Sequence, residues 1–323
     1  MPAAAMTAKR TTEMWTLPAT ERDPMLHLRC QRSPGTARGA ALYVHGATFP
    51  SALSVFFRFD GHSWADALND AGFDAWGLDF AGYGESQRYA GMAQSASAIA
   101  PLGRADAAQR QLASVVDAMR ASIAPALPLH LIAHSWGSIP AIRCAADAAD
   151  RLASLTLFGP VVRRDEGEPA AAGGKPLLAW RTLTVWEQYR RFIADVPRGE
   201  SNVLLDRHIE TWGRAYLATD PEAARRDPPA VQVPAGPVAD IAQLWSGRAL
   251  YDASRLRVPT LLVRGAWDSV CDDRDAARLL QDIGRSAATR DIVIDKGTHL
   301  MHLETSRLEL QRAVNEFLLE CTS

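Results

Sequence analysis

The 323-residue sequence holds only four cysteines: Cys30, Cys144, Cys271 and Cys321. They are widely spaced and form no C-x-x-C pair. That argues against a disulfide framework or a zinc site and makes a reducing compartment the simpler expectation. Lysine is scarcer still, with Lys9, Lys175 and Lys296 the only three. The 35 basic side chains are therefore nearly all arginine, and 37 acidic ones balance them to a formal charge of −2. No excess of either sign marks a nucleic-acid-binding protein or one drawn to anionic membrane. No stretch stays apolar for ~18 residues, so no membrane-spanning helix is expected. The opening MPAAAMTAKRTTEMW lacks the basic-then-apolar order of a secretion signal, which leaves the cytoplasm as the expected location.

What is present is an ordinary globular composition, 47% apolar and 22% charged. No internal repeat or long low-complexity tract interrupts it. Residues 29–39, RCQRSPGTARG, have the chemistry of a turn following an initial strand pair. Short apolar runs then alternate with helical patterns. Residues 40–44, 73–79, 129–133, 155–158, 260–264 and 291–294 read as strands. Residues 63–71, 106–122, 139–149 and 307–319 carry apolar side chains at helical spacing. Such alternation predicts an α/β architecture, a mostly parallel sheet with helices on both faces.

The period breaks between Gly159 and about Leu250. This segment contains Trp180, Trp186, Trp212 and Trp245, with loop-like stretches at residues 166–176 and 227–237. A long excursion of this kind suggests a helical cap over a site. The expected division is a core of residues 25–159 and 251–320, a cap of residues 160–250, and an N-terminal extension of residues 1–24.

The strongest local signal is Ala133-His134-Ser135-Trp136-Gly137, set between an apolar strand and a helix. It fits the small-x-Ser-x-Gly elbow. There a sharp turn exposes the serine Oγ, and small neighbours avoid clashes. The helix that follows points N–H groups toward developing negative charge.

Four further segments fall in order around this elbow. Val44-His45-Gly46-Ala47-Thr48 follows one strand, and Asp79-Phe80-Ala81-Gly82-Tyr83-Gly84-Glu85-Ser86 follows the next. Gly265-Ala266-Trp267-Asp268 and Gly297-Thr298-His299 follow two later strands. In these segments, and over about residues 25–320, the chain resembles the α/β-hydrolase superfamily. Ala133 stands where the elbow more commonly has Gly, and Phe80 where many members carry Arg. A serine nucleophile sets the chain apart from the branches that use aspartate there.

The resemblance implies an α/β-hydrolase fold and a catalytic set of Ser135, Asp268 and His299. His299 would take the serine proton and return it to the leaving group, and Asp268 would hold the imidazole tautomer. Backbone N–H groups of Ala47 and Trp136 would bind the oxyanion. Thr48, Phe49, Trp186 and Trp212 are candidate pocket residues. Phe56 and Phe57 are further wall candidates, and Trp136 is expected to narrow the acyl side. Asp272, Asp273 and His302 are the competing neighbours. His45 is expected to bond backbone and His134 to point away; His62 and His208 remain within conceivable reach of the pocket. No HExxH, no G-x-G-x-x-G at a βαβ start and no complete phosphate loop is present. Neither a metal nor a cofactor is expected, since acyl transfer by a triad requires none.

The expected activity is hydrolysis of a carboxylic ester with a small-to-moderate apolar or aromatic acyl group, the partner being a small-molecule substrate. Two alternatives use the same triad. One is a thioesterase, whose acyl thioester carrier would meet a basic entrance built from Arg163, Arg164, Arg181, Arg190 and Arg191. The other is a carbon–carbon bond hydrolase. A catalytically silent binding protein on the same fold is the alternative of another class. Fold alone does not choose among these.

Overall fold

A computed structural model describes residues 10–165, 177–285 and 287–322. The loop expected at residues 166–176 lies outside them. Ten strands and eight α-helices are found among the described residues. The central sheet has eight strands in the order β1-β2-β4-β3-β5-β6-β9-β10. These are β1 (Thr12–Leu17), β2 (Leu26–Gln31), β3 (Gly39–Val44), β4 (Phe73–Asp79), β5 (Leu129–His134), β6 (Ser154–Phe158), β9 (Thr260–Gly265) and β10 (Thr289–Ile294). The first two strands run antiparallel at one edge, and all pairings from β4 to β10 are parallel. Thr12–Leu17 therefore belongs to the main sheet, although residues 1–24 read as an extension outside the core.

The two-residue period of the strands divides the core between the faces of the sheet. Leu42, Trp76, Leu131, Leu157 and Leu262 pack on one side. There they meet α2 (Ala105–Ala118), α3 (Ser138–Asp147) and α7 (Asp273–Ile283). Tyr43, Phe73, Ile132, Phe158 and Val263 pack on the other side against α1 (Trp64–Asp70) and α8 (Arg307–Glu320). Strands buried on both faces read as unbroken apolar runs, which is why they were visible in the sequence. Helix α1 starts where a capping box dictates: the Ser63 hydroxyl accepts from Asp66 N, and the Asp66 carboxylate accepts from Ser63 N.

The excursion between β6 and β9 is not purely helical. It holds β7 (Trp180–Thr184), α4 (Val185–Phe192), α5 (Ile209–Ala218), β8 (Ala230–Pro234) and α6 (Gly236–Trp245). β7 and β8 form a separate two-stranded antiparallel sheet. Prolines at 228, 229, 234 and 237 made this stretch read as loop. The alternation of Val231 and Val233 makes it a strand, and a two-stranded ribbon tolerates proline at its end. The excursion is tied to the core by polar contacts. Arg88 donates to Gln232 O at 2.6 Å and to Thr219 O at 3.1 Å. Gly236 N donates to Leu102 O at 2.7 Å, and the Trp212 indole donates to Leu53 O at 3.0 Å. Among the described residues no helix is long and apolar enough to cross a membrane.

Candidate active site

β5 ends at His134, a tight turn spans Ser135–Gly137, and α3 begins at Ser138. Ser135 takes φ +55, a left-handed conformation that a side chain adopts only at a cost in strain. The turn can be this tight because Gly137 has no side chain: a Cβ there would stand 2.5 Å from His45 O.

β9 and β10 deliver the other two groups from their C-terminal ends. His299 Nε2 lies 2.7 Å from Ser135 Oγ. His299 Nδ1 lies 3.0 and 3.1 Å from the two oxygens of Asp268. Asp268 Oδ1 in turn accepts from Val270 N at 2.8 Å and Cys271 N at 3.2 Å, which holds the carboxylate in place. All three side chains are buried. Gly159, just beyond β6, has φ +51, and a Cβ there would lie 2.7 Å from Asp268 Oδ2 and 3.0 Å from His299 Nδ1. The strand end next to the elbow thus has to be glycine for the pair to fit, a requirement no sequence motif flagged.

The competing residues are engaged elsewhere. Asp272 caps α7 by accepting from Arg274 N and Asp275 N, and Asp273 pairs with Arg264 at 2.6 Å. His302 is buried against Phe49, Phe158 and His134, and neither of its ring nitrogens has a partner. Burial, with the nearby His299 as a lesser cause, pushes its pKa down to about 3 and keeps it neutral. His45 donates from Nδ1 to Gly46 O at 2.7 Å and accepts the Phe80 N–H on Nε2 at 3.0 Å. His62 pairs with Asp70 and His208 with Asp60 at the surface, away from the cavity.

His134 does not point away. Alternation along β5 sends it to the face of Phe158, on which its ring stacks at 4.4 Å, and Nε2–H donates to His299 O at 3.0 Å. Burial holds its pKa well below the ordinary histidine value, so it acts as a neutral brace for the His299 backbone.

Glu304 is a second brace with no sequence signal. Its buried carboxyl accepts from Thr298 N at 3.1 Å and is hydrogen-bonded to the Thr298 hydroxyl, one residue before His299. Burial raises its pKa to about 7. A carboxyl raised in the folded state binds its proton more tightly than in the unfolded chain, so its ionisation destabilises the fold. That contribution is lost as pH rises from the ordinary value of 4.5 toward 7. The melting temperature of wild type relative to Glu304→Gln should therefore fall between pH 5 and pH 8, by direct comparison of the two proteins in thermal scans. A difference independent of pH would contradict this reading.

A cavity of about 390 Å³ opens over Ser135 and His299. Gly46, Ala47, Thr48 and Phe49 line its floor, Leu183 and Phe192 one wall, and Val238, Ile241 and Trp245 another. Thr48 and Phe49 thus reach the cavity, whereas Trp186 and Trp212 do not. Trp186 stands on the outer face of α4 and is 64% exposed. Trp212 is buried between Phe49, Phe192 and Tyr216, its N–H committed to Leu53 O. Phe56 and Phe57, both half-buried, pack against the core clusters and do not line the cavity.

Trp136 also turns away from the cavity. Its indole N–H donates to Asp240 Oδ2 at 3.0 Å. Asp240 is fully buried on α6 and also accepts from Ala105 N at 2.7 Å and pairs with Arg104. Its pKa is raised by burial, with Arg104 opposing. One carboxylate thus joins α6, the start of α2 and the residue after Ser135. Asp240→Ala would leave these donors unpaired and should cost roughly 3–5 kcal/mol in urea unfolding. A loss below about 1 kcal/mol, the level of an exposed pair, would contradict that role.

Ala47 lines the cavity, and its N–H donates to no protein atom among the described residues. The Trp136 N–H belongs to the first turn after β5, where amides lack an acceptor in their own helix. Of the five arginines considered for an entrance, only Arg181 and Arg191 line the cavity. Arg164 pairs with Asp275 and lies over the Trp245 ring. Among the described residues no group of His, Cys, Asp or Glu side chains could hold a metal ion.

A mostly parallel sheet with serine, acid and histidine presented beyond the C-terminal ends of β5, β9 and β10 defines an α/β-hydrolase fold. The family model described as serine aminopeptidase, S33 (Hydrolase_4) matches residues 58–306, and the chain belongs to this family. No curated protein matches the chain in sequence. Among solved structures it is similar to a thioesterase domain from the curacin biosynthetic pathway (TM-score 0.63, 16% identity, 96% of this chain and 99% of that one). It is also similar to an esterase from Thermogutta terrifontis (0.57, 18%, 96% and 100%). A third is an N-formylmaleamic acid deformylase from Pseudomonas putida S16 (0.60, 18%, 94% and 99%). At these identities the likeness is one of fold.

Proposed function

We propose that the protein hydrolyses carboxylic esters through an acyl-Ser135 intermediate. The observation that carries this reading is the chain of hydrogen bonds from Asp268 through His299 to a strained, cavity-facing Ser135 Oγ. In attack, Ser135 Oγ bonds to the substrate carbonyl carbon while His299 Nε2 takes its proton. Asp268 holds the Nδ1–H tautomer and offsets the imidazolium charge. The carbonyl oxygen becomes an oxyanion beside the N–H groups of Ala47 and Trp136, each such donor contributing about 3 kcal/mol in the transition state. His299 then protonates the departing alcohol. Water, deprotonated by the same ring, releases the acid and restores Ser135.

Residues 160–250 serve as a cap that supplies the apolar walls from α4 and α6. Those walls favour an acyl group of small to moderate size, since cavities in this range hold small organic ligands. An aminopeptidase needs a free carboxylate for the substrate ammonium. Among the described residues that line the cavity the one carboxylate is Glu187, whose Oε2 already accepts from Thr184 N and Thr184 Oγ1. A matched panel of aryl esters, acyl thioesters and amino-acid anilides tests the choice of bond. Ester turnover well above that of the other classes is expected, and anilide or thioester turnover exceeding it would overturn the assignment.

A further inference from the structure

The charged groups around the cavity do not cancel in the way a purely apolar substrate would require. Arg191 is paired with Asp195 at 3.1 Å, and that carboxylate also accepts from Ser269 Oγ. Glu187 is taken up by the capping box that starts α4. Gln188 donates to Thr48 O and to the Tyr216 hydroxyl. Arg181, on β7, is different. Among the described residues its guanidinium has no carboxylate at ion-pair distance and no hydrogen-bond acceptor; Nε is enclosed by protein, so the terminal nitrogens are the ones a ligand can meet. It lines the same cavity as Ser135 and His299. A half-buried guanidinium held at the wall of an apolar cavity without a counter-charge is costly unless something else supplies the acceptor.

We infer that Arg181 is an anion subsite and that the substrate carries a carboxylate besides the bond that is cut, as in a half-ester of a dicarboxylic acid. The inference rests on the ester-hydrolase reading above. A planar guanidinium matches a carboxylate through paired N–H donors, and the surrounding Leu183 and Phe192 fit the apolar chain between the two ends of such a substrate.

The test compares phenyl hexanoate with the monophenyl ester of adipic acid, which places the carboxylate on the acyl side, and with carboxyphenyl hexanoate, which places it on the alcohol side. Wild type should favour one carboxylate-bearing ester over phenyl hexanoate by about 10- to 100-fold in kcat/KM, the span of a charge-assisted hydrogen bond in a desolvated site. Which ester is favoured locates Arg181 on the acyl or the alcohol side of Ser135. In Arg181→Gln the ratio should fall close to one. A wild-type ratio near one for both esters, or a ratio unchanged in Arg181→Gln, overturns the subsite. Calorimetric binding of adipate and of hexanoate to Ser135→Ala keeps this separate from the hydrolase reading. Tighter adipate binding, lost on adding Arg181→Gln, supports the subsite even if no ester is turned over. Equal binding of the two acids counts against it.

Discussion

Replacing Ser135 by alanine should lower ester turnover by about 10⁴-fold or more, with the melting temperature nearly unchanged. The same loss is expected for His299→Ala, because nucleophile and base act as one unit and removing either leaves only oxyanion and binding contributions. The informative contrast is His302. It lies three residues further along, is equally buried, and has no hydrogen-bond partner. His302→Leu removes two unsatisfied nitrogens from an apolar setting and should leave turnover within about three-fold while holding or raising stability. If His302→Leu abolished turnover and His299→Ala did not, the base would be misassigned. Steady-state rates on one activated ester, with circular dichroism to confirm folding, decide this.

Gly159→Ala is expected to disable the site without touching any of its three reacting groups. A left-handed φ of +51 costs an alanine roughly 1–2 kcal/mol. Its Cβ would also press on Asp268 Oδ2 at 2.7 Å and His299 Nδ1 at 3.0 Å, so the pair must shift. A displacement near 1 Å at a catalytic base can cost about 10²-fold in rate, and a loss of at least that size is predicted for kcat. Gly199→Ala is the control. It has φ +92 with nothing within 4 Å of the added Cβ, so it should lower the melting temperature and leave kcat alone. Equal kcat values for the two variants would show that Gly159 matters for strain only.

The parallel core was legible because strands buried on both faces leave apolar runs, and these alternated with helical spacing at regular intervals. The elbow around Ser135, and the segments ending in Asp268 and His299, were legible because each follows such a run. The structure brings those three residues within hydrogen-bond reach. The rest depended on contacts distant in sequence. Trp186 and Trp212 share an aromatic segment, yet only the tertiary fold turns one to solvent and the other into the core. Trp136 read as a cavity wall because it follows Ser135. The carboxylate of Asp240, 104 residues away, draws its indole elsewhere. β8 was hidden by prolines, and β1 lay too near the chain start to be assigned to the main sheet. Gly159 and Glu304 carry no motif at all; their roles come from what a side chain would strike or what a buried carboxyl holds.

The central claim is that Ser135 is an activated nucleophile, and covalent labelling tests it most directly. Intact-protein mass should be measured after incubation with a fluorophosphonate, for wild type and Ser135→Ala side by side. A single adduct on wild type, absent from Ser135→Ala, is the predicted result. No adduct on wild type, or an equal adduct on both proteins, would contradict the account.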